Sequence, residues 1–588
     1  MRFITALSAR LTCPKPNARP IRHNARVPDR NGKIFYTSIT SLSHISKFAG
    51  PEDAQAEQRA YATARSRARE QLHSLQQRLG KEEAEKAAIF DAHLDLVDDE
   101  VIVEEIEAEI LRHGRTAGFA VQSVYGRYAK VMAAMEDETM AQRAADLDDV
   151  AQRLLRLLYG LPGQDLSCLP GPVILVADDL LPSDTAAMDR ANVLGIAAQK
   201  GGATSHSAIM ARSWGIPAVL GIPGLLGQVQ SGQTAVLDAL EGTLNTTPDD
   251  AAQHEAQKKL AAWRKDAAEA QRFLNAPAST QDGVRVEIGL NLGDVSAQAL
   301  AASPATDFVG LLRTEFLYLE ASHMPTEEEQ YAAYKKVLLE YAPRPVTVRT
   351  LDIGGDKTLP YFELPKEENP FLGQRALRLC FAHPQLLRTQ FRAALRAAAH
   401  GSLWLMLPMV SGIEDFCRAK QMLEQARTEL AAQGIGPLGE VKLGVMIETP
   451  AMVMMAPEIA RRADFASIGT NDLCQYLTAA DRMNPAVAPY CRATHPALYR
   501  AIAMAVRAFD QAGKPICVCG EMAGDPRAAC ALVGLGLRKL SMSASQLAKV
   551  KRALSRHTAV QLQRLAGKIL ACDDAGEVLQ CMQAALAL

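Results

Sequence analysis

From residue 284 onward the chain alternates short apolar runs with helical patterns, and this alternation restricts the fold more than any other feature of the sequence. Eight strand candidates occur in order: RVEIGLNLG, DFVGLLRTEF, VTVRTLDIGGD, LWLMLPMV, LGVMIETP, FASIGTNDL, PICVCGEMAG and KLSMSA. Runs that are apolar at successive positions are typical of parallel strands covered by helices. Eight strand–helix repeats predict a (β/α)8 barrel.

Polar side chains stand at only one end of these strands. They are Arg313, Arg349, Glu448, Asn471, Asp472 and Cys519. Because the carboxyl ends of barrel strands converge on one face, where active sites of this fold lie, we expect these residues to come together there. A salt bridge at the barrel rim explains any one of them, but it explains the whole set poorly.

The residue types in this set indicate a chemistry. Arg313 and Arg349 carry planar guanidinium groups suited to binding phosphate or carboxylate, and Arg482 in TAADRMNP adds a third. Glu448 and Asp472 are hard oxygen ligands, too few for a calcium cage but suited to Mg²⁺ that also binds substrate oxygens and water. An anionic substrate, arginines and Mg²⁺ together favour phosphoryl transfer.

Cys519 precedes Gly-Glu at the end of a strand candidate. A thiol in that position can deliver a proton to carbon, or remove one, if its pKa suits the task. The alternatives are a buried structural cysteine or, together with Cys517, half of a zinc site. The spacing of two residues and the lack of a second cysteine pair argue against zinc.

The stretch GGATSHSAIMARS, residues 201–213, places His206 ahead of an apolar helical run. The glycines allow a phosphate-sized group to approach the backbone, and a helix N-terminus favours an anion. A neutral imidazole there can attack phosphorus and hold the phosphoryl group, with Thr204 and Arg212 in support. An exposed histidine beside a helix cap fits the same letters, so the local sequence leaves both interpretations open.

The rest of the chain divides by composition. Residues 50–160 have helical spacing with little Gly or Pro, 165–245 show short strands and turns, and 249–274 form a charged helix. Residues 1–28 are rich in Arg and lack Asp and Glu, which we interpret as a flexible tail or an upstream start rather than a transit peptide.

Charge and cysteine usage exclude some classes of function. The formal net charge of −2 gives no reason to expect nucleic acid or an anionic membrane as partner. Eleven scattered cysteines predict reduced thiols in the cytoplasm. The longest uncharged stretch, residues 214–237, is broken by Gly and Pro and does not predict a membrane helix.

Several motifs in series resemble one family. GGATSHSAIMARSWGIPAVLG resembles the phosphohistidine signature of the phosphoenolpyruvate-utilising enzymes. DFVGLLRTEFLYL, VTVRTLDIGGDK, KEENPFLGQRALR, GVMIETP, SIGTNDLCQYLTAADR and CGEMAGD resemble their barrel. The order of motifs over residues 33–588 is similar in particular to the enzyme I family of the sugar phosphotransferase system.

This resemblance implies a role for each candidate residue. His206 would be phosphorylated on Nε2 by phosphoenolpyruvate and would pass the group to the carrier protein HPr, free or fused, while Thr204 supports it. Phosphoenolpyruvate would be bound by Arg313, Arg349, Asn471, Asp472 and Arg482. Glu448 and Asp472 would hold Mg²⁺, and Cys519 would protonate enolpyruvate to give pyruvate.

The resemblance also implies a domain order. After a divergent tail at 1–32, residues 33–49 and 161–248 would form a swivelling phosphohistidine domain, with the all-helical HPr-binding subdomain at 50–160 inserted. Residues 249–277 would be a linker helix, and 278–588 would form the phosphoenolpyruvate-binding barrel and the interface of a homodimer.

One segment departs from the family pattern. The first strand normally carries a glycine-rich stretch like SPGIAxGKA, whereas this chain has only NGKIFYT at 31–37. The sequence therefore leaves the first strand open.

A pyruvate–phosphate dikinase or phosphoenolpyruvate synthase shares the motifs but carries a nucleotide-binding domain ahead of the histidine. Here about 160 mostly helical residues without a Gly-rich phosphate loop occupy that place. A further alternative is a regulatory binding protein that keeps the fold but has lost catalytic turnover. Every catalytic position that can be matched is filled, which argues against this alternative.

Overall fold

The structure is a computed structural model. It describes residues 29–36, 53–78, 84–133, 138–160, 166, 169, 171–180, 188, 190–201, 206–319, 321–355, 359, 361–362, 364, 367–484 and 486–586. The chain forms two compact units, and the division falls between Arg264 and Lys265.

The first unit contains a helical module. Its helices are α1 (Ala54–Arg78), α2 (Ala84–Asp98), α3 (Glu100–Leu111), α4 (Ala117–Ala133) and α5 (Glu138–Leu158). On α3 the isoleucines 102, 106 and 110 recur every four residues and are all buried, which is the pattern of an amphipathic helix. The side chains of Tyr61, Phe90 and Tyr125 are fully buried in the core of this module.

The first unit also contains a six-stranded sheet. Its strands are β1 (Asp29–Tyr36), β2 (Val173–Ala177), β3 (Val193–Ala198), β4 (Ala218–Val219), β5 (Thr234–Asp238) and β6 (Thr243–Asn245). They lie in the order β4-β3-β2-β1-β5-β6, parallel as far as β1 and antiparallel beyond it. Apolar clusters cover both faces, since Leu175 belongs to one and Val176 to the other. The continuous apolar run VILVA of β2 follows from this two-sided burial.

The first strand, which the sequence left open, is present as DRNGKIFY. It begins at Asp29 and pairs with both β2 and β5, in the middle of the sheet. Helix α6 (His206–Trp214) follows β3. Helix α7 (Asp250–Gln271) contains the division between the two units.

The second unit is a closed barrel of eight parallel strands, so the barrel prediction is confirmed. The strands are β7 (Glu287–Leu292), β8 (Phe308–Leu312), β9 (Val346–Arg349), β10 (Leu403–Leu407), β11 (Val441–Ile447), β12 (Ala466–Ile468), β13 (Ile516–Val518) and β14 (Lys539–Met542). Each of the eight strand candidates contributes one strand. A small cluster that includes Leu311, Met406 and Phe465 packs apart from the main barrel core.

The helices of the second unit, in chain order, are α8 (Ala297–Leu300), α9 (Phe316–Leu319), α10 (Glu327–Tyr341), α11 (Ala376–Ala382), α12 (Pro384–Ala397), α13 (Ile413–Ala432), α14 (Pro450–Met454), α15 (Ala456–Ala460), α16 (Thr470–Thr478), α17 (Pro496–Gln511), α18 (Pro526–Gly534), α19 (Leu547–Ser555), α20 (Ala559–Ala571) and α21 (Ala575–Ala585). Among the residues that the structure describes, no helix has the length and apolar character needed to cross a membrane.

Candidate active site

The polar residues singled out in the second half of the chain lie at the carboxyl ends of parallel barrel strands. Arg313 follows β8, Arg349 ends β9, Glu448 follows β11 and Cys519 follows β13. Asn471 and Asp472 lie in the first turn of α16, three and four residues after the end of β12, and Arg482 follows that helix. Strand direction therefore brings all of them to one end of the barrel.

Arg349 is the most deeply buried of the predicted cations, with 7% of its surface exposed. Its Nη2 donates to Oε1 of Glu315 at 2.8 Å, and its Nη1 lies 3.1 Å from Oδ2 of Asp352. Burial alone would lower the pKa of Arg349, but the Glu315 and Asp352 carboxylates raise it, so the guanidinium stays charged. Its buried Nε has no hydrogen-bond partner among the described residues and remains available to an anion.

A second arginine, Arg375, connects two carboxylates of the site. Its Nη2 donates to both oxygens of Asp352 at 2.9 and 3.1 Å, and its Nη1 donates to Oδ1 of Asp472 at 3.0 Å. The same Nη1 donates to the Tyr476 hydroxyl at 3.2 Å. Burial alone would lower the pKa of Arg375, but Asp352 and Asp472 raise it. The result is a buried network of alternating positive and negative side chains at the carboxyl end of the barrel.

Glu448 is fully buried, and its two oxygens differ. Oε1 accepts the backbone N–H of Met409 at 2.6 Å, whereas Oε2 has no hydrogen-bond partner among the described residues. Burial and the nearby carboxylates of Asp472 and Asp352 raise the pKa of Glu448 to about 8, against the opposing effect of Arg349 and Arg375. A buried acid with an unpartnered oxygen and a raised pKa is the kind of group that marks a functional site.

Asp472 is held from two sides. Its Oδ1 accepts from Arg375, and its Oδ2 lies 3.3 Å from Nη1 of Arg482. This ion pair brings Arg482 to the site although Arg482 lies beyond the end of α16. Asn471 is half-buried, and Arg313 is exposed at the end of β8.

Cys519 lies inside the barrel end with 4% of its surface exposed. Its backbone N–H donates to the carbonyl of Ile468 on β12 at 3.3 Å, and its carbonyl accepts the Asn291 side-chain amide from β7 at 2.8 Å. Burial raises the pKa of the Cys519 thiol, although Arg349 and Arg313 oppose the shift. The thiol therefore keeps its proton at neutral pH and can act as an acid.

The site offers two carboxylates to a cation, Glu448 and Asp472. Within the described ranges no group of three or more His, Cys, Asp or Glu residues is arranged to hold a metal ion by itself. The unpartnered Oε2 of buried Glu448 nonetheless requires a positive partner when the carboxylate is ionised. This donor set fits Mg²⁺, which binds to one or two protein carboxylates and completes its shell with substrate oxygens and water.

His206 belongs to the first unit and begins helix α6. The next residue, Ser207, is fully buried, and its hydroxyl donates to Oδ1 of Asp179 at 2.8 Å, which anchors the start of the helix. Thr204 lies outside the described residues. The structure thus groups the predicted barrel residues in the second unit and places His206 in the first.

Sequence reasoning missed Glu315, Asp352 and Arg375. Asp352 was within reach, because it lies three residues after Arg349 at the end of the same strand run. Arg375 precedes α11, more than 20 residues beyond the end of β9, so the strand-end pattern does not point to it, although it lies within the motif KEENPFLGQRALR.

Three family models match the chain in series. The PEP-utilising enzyme N-terminal model matches residues 31–143, the mobile-domain model matches 169–242, and the PEP-binding-domain model matches 267–559. The barrel with its buried arginines and carboxylates lies in the third of these segments, and His206 lies in the second. The fold and these matches define the class of the protein as a PEP-utilising enzyme.

Relatives narrow the class. A phosphoenolpyruvate-protein phosphotransferase of Bacillus sp. (strain S) is 40% identical over 539 residues, which is 91% of this chain and 93% of the relative. One from Bacillus subtilis (strain 168) is 39% identical over 528 residues, or 90% and 93%. A multiphosphoryl transfer protein of Rhodobacter capsulatus is 43% identical over 499 residues, 84% of this chain and 59% of that longer protein. The chain belongs to the phosphoenolpyruvate–protein phosphotransferase family.

Proposed function

We propose that this protein transfers the phosphoryl group of phosphoenolpyruvate to its own His206 and then to the carrier protein HPr, and that it releases pyruvate. This is the first step of the sugar phosphotransferase system. The observation that carries the proposal is the convergence of Arg349, Glu448, Asp472 and Cys519 at one end of the barrel. These side chains supply what phosphoenolpyruvate needs, namely a cation for its anionic groups, carboxylates for a metal and an acid for its carbon.

Substrate binding is assigned to Arg313, Arg349, Asn471 and Arg482, with Asp472 holding Arg482 in place. The free Nε of Arg349 supports this assignment, because a buried donor without a partner is costly unless a ligand accepts from it. The exposed guanidinium of Arg313 stands where an incoming anion meets it first. Guanidinium groups bind phosphate and carboxylate oxygens in pairs, which orients the substrate as well as holding it.

Glu448 and Asp472 are the residues that would hold Mg²⁺. When bound, the ion would neutralise the negative charge that phosphoenolpyruvate brings into the barrel. Ionisation of Glu448 is unfavourable while its Oε2 lacks a partner, so a cation at this carboxylate is expected to favour the charged form.

In the chemical step, one bond to phosphorus forms as another breaks. The Nε2 atom of neutral His206 attacks the phosphorus, the bond between phosphorus and the enol oxygen breaks, and the enolate of pyruvate leaves. Thr204 is assigned a hydrogen bond to the imidazole or to the phosphoryl group. The Cys519 thiol gives its proton to the terminal carbon of the enolate and so completes pyruvate.

Each of these roles is assigned to a domain of the chain. We assign residues 33–49 and 161–248 to the phosphohistidine domain, 50–160 to HPr binding, 249–277 to a linker and 278–588 to the phosphoenolpyruvate-binding barrel. The strand that begins at Asp29 extends the first of these domains by four residues.

We place the protein in the cytoplasm, since the nine cysteines that the structure describes are free thiols. We also propose a homodimer formed through the barrel, where Met454 and Tyr490 are each 68% exposed.

Radiolabelled phosphoenolpyruvate tests the proposal. Incubation with Mg²⁺ should leave label on the protein that acid removes and base does not, at His206, and added HPr should take that label. His206→Ala should remain unlabelled while it keeps the circular dichroism spectrum of the unsubstituted protein. Full labelling of His206→Ala, or no labelling of the unsubstituted chain, would overturn the proposal.

A further inference from the structure

We infer that Met409 and Gly469 are positioning residues that form a slot for the Glu448 carboxylate and leave Oε2 as its metal-binding oxygen. The inference rests on the proposed function, because it takes Glu448 as a metal ligand. It adds two residues that bear no charge and that act through Glu448. Each of them is supported by its own observation.

Met409 forms one side of the slot. It follows β10 with a backbone φ of +55°, in the left-handed region that non-glycine residues rarely occupy. This conformation goes with the direction of its N–H, which donates to Oε1 of Glu448 at 2.6 Å. Local strain of this kind persists only where the surroundings impose it, and it is concentrated at functional sites.

Hydrogen bonds to the three residues that follow Met409 hold the turn. The Thr449 hydroxyl, next to Glu448 in the chain, donates to the carbonyl of Val410 at 3.0 Å. Immediately after Val410, the backbone N–H groups of Ser411 and Gly412 donate to Oδ2 of Asp415 on α13 at 2.9 and 3.1 Å. The turn therefore keeps its N–H aimed at Glu448.

Gly469 forms the other side of the slot. A Cβ atom at this position would lie 2.7 Å from Oε2 and 3.1 Å from Cβ of Glu448, and 3.0 Å from Sδ of Met446. Its φ of −86° is accessible to any residue, so lack of space, rather than conformation, requires glycine here. Its N–H donates to the carbonyl of Ile447 at 3.2 Å, which fixes its distance from the adjacent Glu448.

Together the two sides fix the orientation of the carboxylate. Oε1 is occupied by the Met409 N–H, and Oε2 lies over the bare Cα of Gly469. A cation therefore meets an oxygen that is already oriented and has no partner to displace. Groups that orient a metal ligand in this way typically change metal affinity by about 10- to 100-fold when they are removed.

The test is the affinity of the full-length protein for Mn²⁺ alone, measured from the electron paramagnetic resonance signal of the free ion. Gly469→Ala should weaken Mn²⁺ binding by about tenfold or more. The matched control is Gly293→Ala, since Gly293 also follows a barrel strand and has nothing within 4 Å of an added Cβ. The control should bind Mn²⁺ as tightly as the unsubstituted chain.

Phosphorylation of His206 gives a second readout. In Gly469→Ala the Mg²⁺ concentration for half-maximal labelling should rise by about tenfold, and the labelling rate should recover at saturating Mg²⁺. A general loss of structure would lower the rate at every Mg²⁺ concentration and would contradict the inference.

Two substitutions at Met409 separate its backbone from its side chain. Met409→Gly keeps the N–H and accepts a positive φ, so Mn²⁺ affinity should persist even though removal of a buried side chain lowers the melting temperature. Met409→Val puts a β-branched residue at a positive φ, so it should shift the turn and weaken Mn²⁺ binding.

The outcomes are distinguishable from failure of the proposed function. If the unsubstituted chain binds Mn²⁺ and labels His206 while Gly469→Ala and Met409→Val bind Mn²⁺ equally well, the slot is refuted and the function stands. If the unsubstituted chain labels His206 without any need for a divalent ion, the role of Glu448 as a metal ligand fails, and the slot fails with it.

Discussion

Burial suits the Cys519 thiol to the acid role that the proposed function assigns to it. A thiol is a nucleophile only as the thiolate, and burial of Cys519 raises its pKa and so disfavours that form. The same burial retains the proton that an acid must deliver. The position of Cys519 at a strand end was visible in the sequence, but its protonation state depends on neighbours from other strands, so only the structure gives it.

Replacing the thiol should slow the reaction without emptying the site. We expect Cys519→Ala to lower kcat for pyruvate formation by roughly 100- to 10,000-fold, the usual contribution of a general acid, and to leave KM for phosphoenolpyruvate nearly unchanged. Because its pKa is raised, the unsubstituted enzyme should keep its activity through neutral pH and lose it only above the ordinary thiol range. Steady-state pyruvate release across pH measures both effects.

The control for this substitution is Cys517→Ala. Cys517 is also buried, but it lies within β13 and lines a small cavity with Trp404 and Pro515 at the amino end of the barrel, whereas Cys519 follows the carboxyl end of β13. Its replacement should leave kcat close to that of the unsubstituted enzyme. Equal losses in both variants would refute an acid role for Cys519.

At the scale of elements, the barrel strands were predictable because most of their residues are buried and lie in largely apolar runs. The first strand of the sheet was not, since DRNGKIFY is mostly polar and its pairing with β2 and β5 involves residues more than 130 positions away. The turn at Met409 could not be predicted from the sequence either. A glycine at this position would have indicated a positive φ, but nothing in PMVSG predicts a positive φ at methionine.

An ion-pair cluster joins two outer helices of the barrel. Glu327 at the start of α10 accepts from Nε of Arg392 at 2.5 Å and from Nη1 of Arg396 at 2.8 Å, both on α12. Burial alone would raise the pKa of Glu327, but these two hydrogen bonds lower it. A carboxylate with a lowered pKa stabilises the fold above its unfolded pKa, and that contribution is lost as the pH falls through its folded pKa.

Glu327→Gln should therefore cost about 1–2 kcal/mol of unfolding free energy at pH 7, because it removes the carboxylate that Arg392 and Arg396 share and leaves each with one partly exposed acid, Glu429 and Glu328 respectively. The difference from the unsubstituted protein should shrink below about pH 4. Urea denaturation at both pH values measures it. Glu328→Gln is the control, since the Glu328 side chain is 68% exposed and pairs with Arg396 at the surface, so the change should be small. A difference for Glu327→Gln that does not depend on pH would contradict the ion-pair explanation.

At the scale of the whole molecule, the proposed function assigns the splitting of phosphoenolpyruvate to one unit and the carriage of the phosphoryl group, on His206, to the other. The ends of the apolar strand runs predict the barrel-end site, whereas the local sequence around His206 fits either a phosphoryl carrier or an exposed histidine, and the family resemblance favours the carrier. The pairing of Arg375 with Asp352 and Asp472 could not be predicted from the strand-end pattern, because Arg375 comes from a segment more than 20 residues beyond β9. That pairing contributes to the charge of the site, which the strand-end pattern alone does not give.

The most direct measurement is a single turnover in which pyruvate release and phosphorylation of His206 are followed together. With no HPr present, the unsubstituted protein should release pyruvate in a burst equal in amount to the phosphoryl group bound to His206, and His206→Ala should give no burst. A burst of the same size from His206→Ala, or pyruvate released without phosphoryl group on His206, would show that the barrel passes the group to water or to another residue.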